Sequence, residues 1–201
     1  MDEIMTENRA ELCGVAAEPV RYSHESRGIR FYTFPLETLR LSGAADRVNI
    51  LLRESMLPLL PPEPTPRIAL EGELRSYNNR SGVGNRLVLT VLARELSASD
   101  GPDEDRITLT GAICKRPALR VTPMGREICD IILAVNRRYR RSDYIPVITW
   151  GAQARQAAEM PVGTRLMVRG RLQSRAYTKV VDGIPEQRMA FEVSAADTCA
   201  L

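Results

Sequence analysis

Hydrophobic and polar residues alternate along much of this 201-residue chain, the pattern left by strands with one face buried. The clearest stretch runs from Arg165 to Tyr177. Leu166, Val168, Gly170 and Leu172 fall on one side of it, and Arg165, Met167, Arg169, Arg171, Gln173, Arg175 and Tyr177 on the other. One face is therefore core and the other largely cationic. Around it, apolar runs predict strands over about 107–113, 127–136, 144–150 and 189–195, with turns at Pro123–Gly125 and Asp182-Gly183. Ala152 to Met160 is rich in Ala, Gln, Arg and Glu and stops at Pro161, which predicts one short helix between the third and fourth strands.

The pattern occurs twice. Gly14 and Gly111 lie 97 residues apart, Pro19 and Pro117 98, Gly28 and Gly125 97, and Gly72 and Gly170 98. Asn8-Arg9-Ala10-Glu11-Leu12-Cys13-Gly14 answers Asp105-Arg106-Ile107-Thr108-Leu109-Thr110-Gly111, and Leu70-Glu71-Gly72-Glu73-Leu74 answers Val168-Arg169-Gly170-Arg171-Leu172. Such self-similarity predicts tandem copies of one domain, over 1–98 and 106–201, with the polar stretch 99–105 as linker. Five strands with a short helix between the third and fourth is the layout of an OB barrel. The expected fold is all-β with short helices: two tandem five-stranded Greek-key barrels.

Composition narrows the setting. With 44% hydrophobic and 26% charged residues the chain reads as globular, and no apolar run approaches a membrane span. Met1 to Arg9 carries Asp2, Glu3 and Glu7 and lacks the pattern of an export signal, so a cytoplasmic protein is expected. Cys13, Cys114, Cys129 and Cys199 never approach C-x-x-C spacing and His24 is the only histidine. No metal site follows, and reduced, mostly buried thiols are expected. The net charge of +3 is uneven: residues 1–100 hold 12 Lys or Arg against 14 Asp or Glu, and residues 101–201 hold 16 against 11. Of the 28 cations 26 are arginine, the side chain suited to phosphate forks and to stacking on rings.

The candidate chemistry collects in the second copy. Asn136-Arg137-Arg138-Tyr139-Arg140-Arg141 sets a tyrosine between arginine pairs, and Tyr144 and Trp150 share one side of the next strand. Arg169, Arg171 and Arg175 line the cationic strand face, which ends at Tyr177. Guanidinium groups that follow a phosphate backbone, interleaved with flat rings on which bases stack, are what a single-stranded nucleic-acid site requires. The candidate binding residues are thus Arg137, Arg138, Tyr139, Arg140, Tyr144, Trp150, Arg169, Arg171, Arg175 and Tyr177. No cofactor is implied. With no G-x-x-x-x-G-K loop, no H-E-x-x-H and a single histidine, no enzyme is expected.

The text of the second copy is more specific than its periodicity. Thr110-Gly111, Pro117-Ala118-Leu119-Arg120-Val121-Thr122-Pro123-Met124-Gly125, Leu133-Ala134-Val135-Asn136-Arg137-Arg138-Tyr139, Trp150-Gly151, Gly163 and Val168-Arg169-Gly170-Arg171-Leu172-Gln173-Ser174-Arg175 closely resemble, in order and spacing, bacterial single-stranded DNA-binding proteins. The resemblance covers residues 105–198 and reaches the first copy mainly through the repeat. It implies binding of single-stranded DNA without strong sequence preference, in replication, recombination or repair. It implies stacking by Tyr139 after the Asn-Arg motif, by Tyr144 and Trp150 at the ends of the third strand, and by Tyr177. Four barrels are common in the family, so a chain holding two is expected to form a homodimer, cytoplasmic and associated with the nucleoid. The family's Gly-rich extension and acidic tip do not appear before Leu201, so recruitment of replication or repair proteins through such a tail is not expected.

Three departures carry expectations of their own. Pro146 cannot donate to a ladder, so the third strand is bulged, at an edge, or turned so that the missing N–H faces solvent. Leu57-Pro58-Leu59-Leu60-Pro61-Pro62 takes the place of most of the first copy's helix. Sliding the copies by 98 sets Glu71 and Glu73 against Arg169 and Arg171, and Asp46 and Leu52 against Tyr144 and Trp150. The first copy is then expected to keep the barrel and lose much of the binding face, with Tyr77 and Arg75 as remnants. Phe31, Tyr32 and Phe34 lie on its second strand, at least one of them in the core, and His24 is expected in an exposed turn. Two other readings fit the residues: a structural or interaction module, and RNA as the ligand, since stacking alone does not select the sugar.

Overall fold

The alternating segments pair into two barrels of the same topology. The structure, a computed structural model, describes residues 7–62, 66–79, 86–137, 141–181 and 183–201. The first copy consists of β1 (Asn8–Ala16), β2 (Arg21–Ser26), β3 (Ile29–Leu39), β4 (Ala45–Arg53), a 3-10 helix (Glu54–Leu59), β5 (Arg67–Asn78) and β6 (Leu87–Ala98). The second consists of β7 (Glu104–Ile113), β8 (Ala118–Val121), β9 (Glu127–Arg137), β10 (Arg141–Trp150), α1 (Gly151–Ala158), β11 (Arg165–Val181) and β12 (Ile184–Ala200).

In the first copy the strands lie in the order β2-β3-β4-β6-β5-β1, and β1 closes on β3 through Val15↔Glu37. In the second they lie in the order β8-β9-β10-β12-β11-β7, and β7 closes on β9 through Ala112↔Ala134. Each has one parallel seam, Ile50↔Val91 and Val147↔Val193 respectively. Five long strands closed in this order, with one parallel pairing and a connection between the third and fourth, make the OB barrel. The sixth, short strands β2 and β8 were not expected. They form because the chain, after Pro19 or Pro117, returns along the following strand, as in Ala118↔Asp130 and Val121↔Glu127.

The core follows the alternation. Leu12, Phe34, Leu36 and Ile50 are fully buried in the first barrel, and Leu109, Leu133, Val168 and Leu172 in the second. Burial of side chains this size contributes about 1.5–3 kcal/mol each. The repeated glycines mark the places where strands cross most closely. A Cβ on Gly111 would lie 2.5 Å from the Ala134 carbonyl oxygen and one on Gly72 the same distance from that of Leu92, while Gly14 and Gly170 meet the Glu37 and Ser194 carbonyls. The two copies share these glycines because both need the same close crossings.

The connection between the third and fourth strands differs in the two copies. In the second, Gly151 takes a positive φ of 56° as the chain leaves β10, and α1 then buries Ala154 and Ala157 against the barrel. In the first, Pro58 lies inside a 3-10 helix that buries only Met56, since Pro58, Pro61 and Pro62 cannot supply the N–H groups of an α-helix. This connection is one residue shorter, and that corrects the slide. Strand pairings place β3 and β4 at an offset of 97, with Thr33↔Leu51 matching Asp130↔Ile148. The offset becomes 98 only at β5, where Ala10↔Gly72 matches Ile107↔Gly170. Asp46 therefore stands opposite Asp143, and Arg47 and Arg53 stand opposite Tyr144 and Trp150.

At Pro146 the strand is neither bulged against β9 nor at an edge, since β10 lies between β9 and β12. β10 pairs with β9 without a break from Arg141↔Arg137 to Trp150↔Ile128. Pro146 faces Ile132, whose carbonyl accepts from the Cys114 N–H at 3.0 Å. Ile132 thus turns its polar groups away from β10, so no bond of the β9–β10 ladder is lost at Pro146.

The chain divides into two compact units, one of Arg9–Arg75 and Leu89–Arg106, the other of the described residues of Met1–Asn8, Ser76–Val88 and Ile107–Leu201. The stretch 99–105 lies within the first. The Ser99 N–H donates to the Arg67 carbonyl (3.2 Å), Arg67 Nε donates to the Gly101 carbonyl (2.7 Å), and Arg67 pairs with Asp103 (2.5 Å). No helix among the described residues is long and apolar enough to cross a membrane.

Candidate nucleic-acid interface

The outward residues of β9, β10, β12 and β11 form one continuous sheet face of the second copy. On β10, Tyr144, Pro146, Ile148 and Trp150 share that side, with Tyr144 53% and Trp150 37% exposed at its two ends, about 20 Å apart at strand spacing. Between them Ile148 is buried, so the rings flank an apolar strip. Ile148 pairs with Ser194, which in turn pairs with Arg171. Trp150 Nε1 donates to Ser194 Oγ at 3.1 Å, fixing the indole on the face with its plane still partly open. Ser194 is a positioning residue that the sequence did not reveal.

Across the face Arg169 and Arg171 are exposed and make no ion pair among the described residues. Of the carboxylates nearby, Asp197 is exposed and stands opposite Arg169 on β12, whereas Glu192 and Asp130 are engaged. Glu192 accepts from Gln173 Nε2 (3.1 Å) and lies 3.9 Å from Arg175, while Asp130 is held by Arg120 at 2.5 and 3.1 Å. Gln173, on the outward side of its strand, is consequently buried. The hydrogen bond to Asp130 raises the Arg120 pKa above its ordinary value. Further along β11 the Arg175 guanidinium lies 6.0 Å from the Tyr177 ring centroid, within reach of a cation–π contact. Tyr177 pairs with Arg188 in a β11–β12 hairpin that extends beyond the expected 165–177 and 189–195.

Arg137 differs from the other predicted cations. Its Nε and Nη2 both donate to the Asp143 carboxylate, and Nη2 also donates to the Ser76 carbonyl at 3.1 Å. Asp143 is fully buried and also accepts from the Ser76 N–H at 2.5 Å, and Ser76 Oγ accepts from the Tyr144 N–H at 2.8 Å. Ser76 belongs to the same compact unit as these residues. Arg137 thus secures the base of the β9–β10 connection, a structural use that the expectation of a phosphate contact did not include. The predicted residues Arg138, Tyr139 and Arg140 lie outside the described residues.

The first copy repeats the support and changes the face. Arg40 Nε and Nη2 donate to the buried Asp46 carboxylate at 2.5 and 2.6 Å, as Arg137 does to Asp143. Where the second copy has Tyr144 and Trp150, the first has Arg47, paired with Glu18 at 3.0 Å, and Arg53. Where the second has Arg169 and Arg171, outside any ion pair among the described residues, Glu71 is paired with Arg9 (2.8 Å), and Glu73 with Arg94 (2.8 Å) and Arg75. Phe34 is the core ring of β3. His24 lies within β2 and not in a turn: the turn is Arg27-Gly28, both at positive φ (52° and 75°).

Among the described residues no group of three His, Cys, Asp or Glu is placed to hold a metal ion. Cys13 and Cys129 are buried, but Cys114 and Cys199 are exposed, against the expectation of mostly buried thiols. Partial burial pushes the Cys114 and Cys129 thiols up.

The sequence model of the Single-strand binding protein family matches residues 104–200. The chain is 38% identical over 80 residues to the single-stranded DNA-binding protein of Clostridium tetani, covering 36% of this chain and 55% of that protein. It is 39% identical over 80 residues to single-stranded DNA-binding protein A of Bacillus subtilis, covering 36% of this chain and 46% of that protein. The chain therefore spans about half the length of the curated relatives it matches. The wild-type single-stranded DNA binding protein from Thermus aquaticus superimposes with a TM-score of 0.77 at 22% identity, over 98% of this chain and 93% of that one, a likeness of fold that includes both copies. The second copy, residues 104–200, thus matches the single-strand binding protein family model and is joined in one chain to a first barrel of the same fold.

Proposed function

We propose that the chain binds single-stranded DNA without strong sequence preference, on the outward face of β10, β11 and β12. Trp150, Tyr144 and Tyr177 stack bases, and Arg169, Arg171 and Arg175 follow the phosphates, joined by Arg138, Tyr139 and Arg140 of the β9–β10 connection. Arg137 holds that connection to Asp143. The observation that carries the reading is the exposed Arg171, outside any ion pair among the described residues, in the strand pairing with Ser194 that positions the Trp150 indole. Relatives named single-stranded DNA-binding proteins support the ligand class, and the role proposed with it is in replication, recombination or repair, in the cytoplasm.

Stacking contributes about 1–3 kcal/mol per base. Trp150→Ala and Tyr144→Ala are each expected to weaken binding of a fluorescein-labelled thymidine oligomer by about five- to a hundredfold, read by anisotropy, with the far-UV circular dichroism unchanged. Unaltered affinity in both variants would remove stacking from the mechanism. The chain is further proposed to pair with a second copy, giving four barrels. Light scattering at micromolar concentration is expected to give twice the chain mass, and a single-chain mass contradicts the pairing.

A further inference from the structure

The first copy lacks rings at the positions of Tyr144 and Trp150, yet it carries four on one hairpin. Every residue of β2 is exposed, and the β2–β3 pairing sets Tyr22 against Tyr32 and His24 against Phe31. Tyr22 and Tyr32 meet edge to face with centroids 5.8 Å apart, and His24 lies nearly parallel on Phe31, 5.0 Å apart at 12°. A register shift between Tyr22 and His24 leaves Ser23 unmatched, and its hydroxyl bonds His24 Nδ1 at 3.0 Å, holding the ring in the stack. The corresponding hairpin of the second copy, from Ala118 to Ile128, contains no ring.

Charge and exposure indicate what meets these rings. Arg21, Arg27 and Arg30 accompany them against the single acid Glu25. Arg30 is engaged by Glu54 (3.3 Å), whereas Arg21 and Arg27 make no ion pair among the described residues. Phe31 and Tyr32 are successive residues of β3, so the Tyr22–Tyr32 pair lies on the opposite face of the hairpin from the His24–Phe31 stack, and the exposed His24 gives that stack a free end. A stack of flat rings with a free end and exposed guanidiniums beside it accepts another flat ring that carries negative charge, which describes a nucleotide.

We infer that the β2–β3 hairpin of the first copy is a second single-strand site, in which a base continues the His24–Phe31 stack and Arg21 and Arg27 meet phosphate. This rests on the single-stranded DNA reading of the second copy but uses none of its residues.

The test is photocrosslinking of the full chain to an oligothymidine carrying 5-iodouridine, with Trp150 fluorescence followed in the same samples. The expected result is crosslinked peptide containing His24 or Phe31 in addition to peptides of the second copy, with Trp150 quenched. His24→Ala with Phe31→Ala is expected to abolish the hairpin crosslinks and lower affinity for a long oligomer about five- to fiftyfold, with Trp150 still quenched at saturation. Arg21→Glu with Arg27→Glu, which keeps all four rings and alters only exposed positions, is expected to cause a comparable loss and a shallower salt dependence. Quenching of Trp150 without hairpin crosslinks overturns the second site alone, and is also the outcome if the hairpin instead docks a protein. Neither quenching nor crosslinks removes the reading of the second copy as well.

Discussion

Arg169→Glu together with Arg171→Glu is expected to lower affinity for a thymidine oligomer at low salt by about a hundredfold or more. The substitution gives the second copy the charges that Glu71 and Glu73 give the first. Each arginine forgoes a charge-assisted hydrogen bond to phosphate, about 1.5–3 kcal/mol apiece, and each glutamate adds repulsion. Neither side chain holds the fold: both are exposed and outside any ion pair among the described residues, so the thermal midpoint should move little. The slope of log affinity against log salt should also become shallower by about 1.4, at about 0.7 for each phosphate that is no longer neutralised. A drop in affinity with the slope unchanged would mean that the two arginines do not meet phosphate.

Asp143→Ala is expected to destabilise the second copy by about 3 kcal/mol or more. Asp143 is fully buried, and its carboxylate accepts from Arg137 Nε and Nη2 and from the Ser76 N–H. Removing it strands a half-buried guanidinium and a backbone donor, and breaking one side of such a pair costs about 3–5 kcal/mol, with the lower end appropriate because Arg137 keeps partial access to water. Asp143→Asn retains an acceptor and should recover part of the loss. Urea unfolding followed by circular dichroism measures both, and a change below about 1 kcal/mol in the alanine variant contradicts the structural role of this pair. Asp46→Ala should carry a similar cost in the first copy, where Arg40 occupies the place of Arg137.

Much of this was legible in the sequence, for identifiable reasons. A barrel strand buries alternate residues, so Leu166, Val168 and Leu172 announced the core and Arg169 and Arg171 the outer face. The repeated glycines could be read as a duplication because no other residue fits where β7 and β9, or β11 and β12, cross. The offset of 97 at β4 was obscured by the one-residue difference in the following connection, which enters only at β5. That one residue hid the strongest signal of the support: Arg40 and Asp46 recur 97 positions later as Arg137 and Asp143, an acid and base six apart in both copies. Nothing local to Arg137 distinguished it from its neighbours, since its use depends on a carboxylate brought beside it by the β9–β10 pairing and on Ser76, 61 residues away. Ser194 was hidden for the same reason, because its role arises only when β12 lies parallel to β10. The His24–Phe31 stack needed both strands and the bulge between them.

In the proposed binding mode, bases stack against Trp150 on the second copy. Trp150 is the only tryptophan, so its fluorescence reports that position without a label. Titration with a thymidine oligomer is expected to quench it strongly at low salt, with the midpoint moving to much higher oligomer concentration as salt is raised. An anisotropy signal for binding with Trp150 fluorescence unchanged would contradict the claim and place the strand elsewhere on the chain.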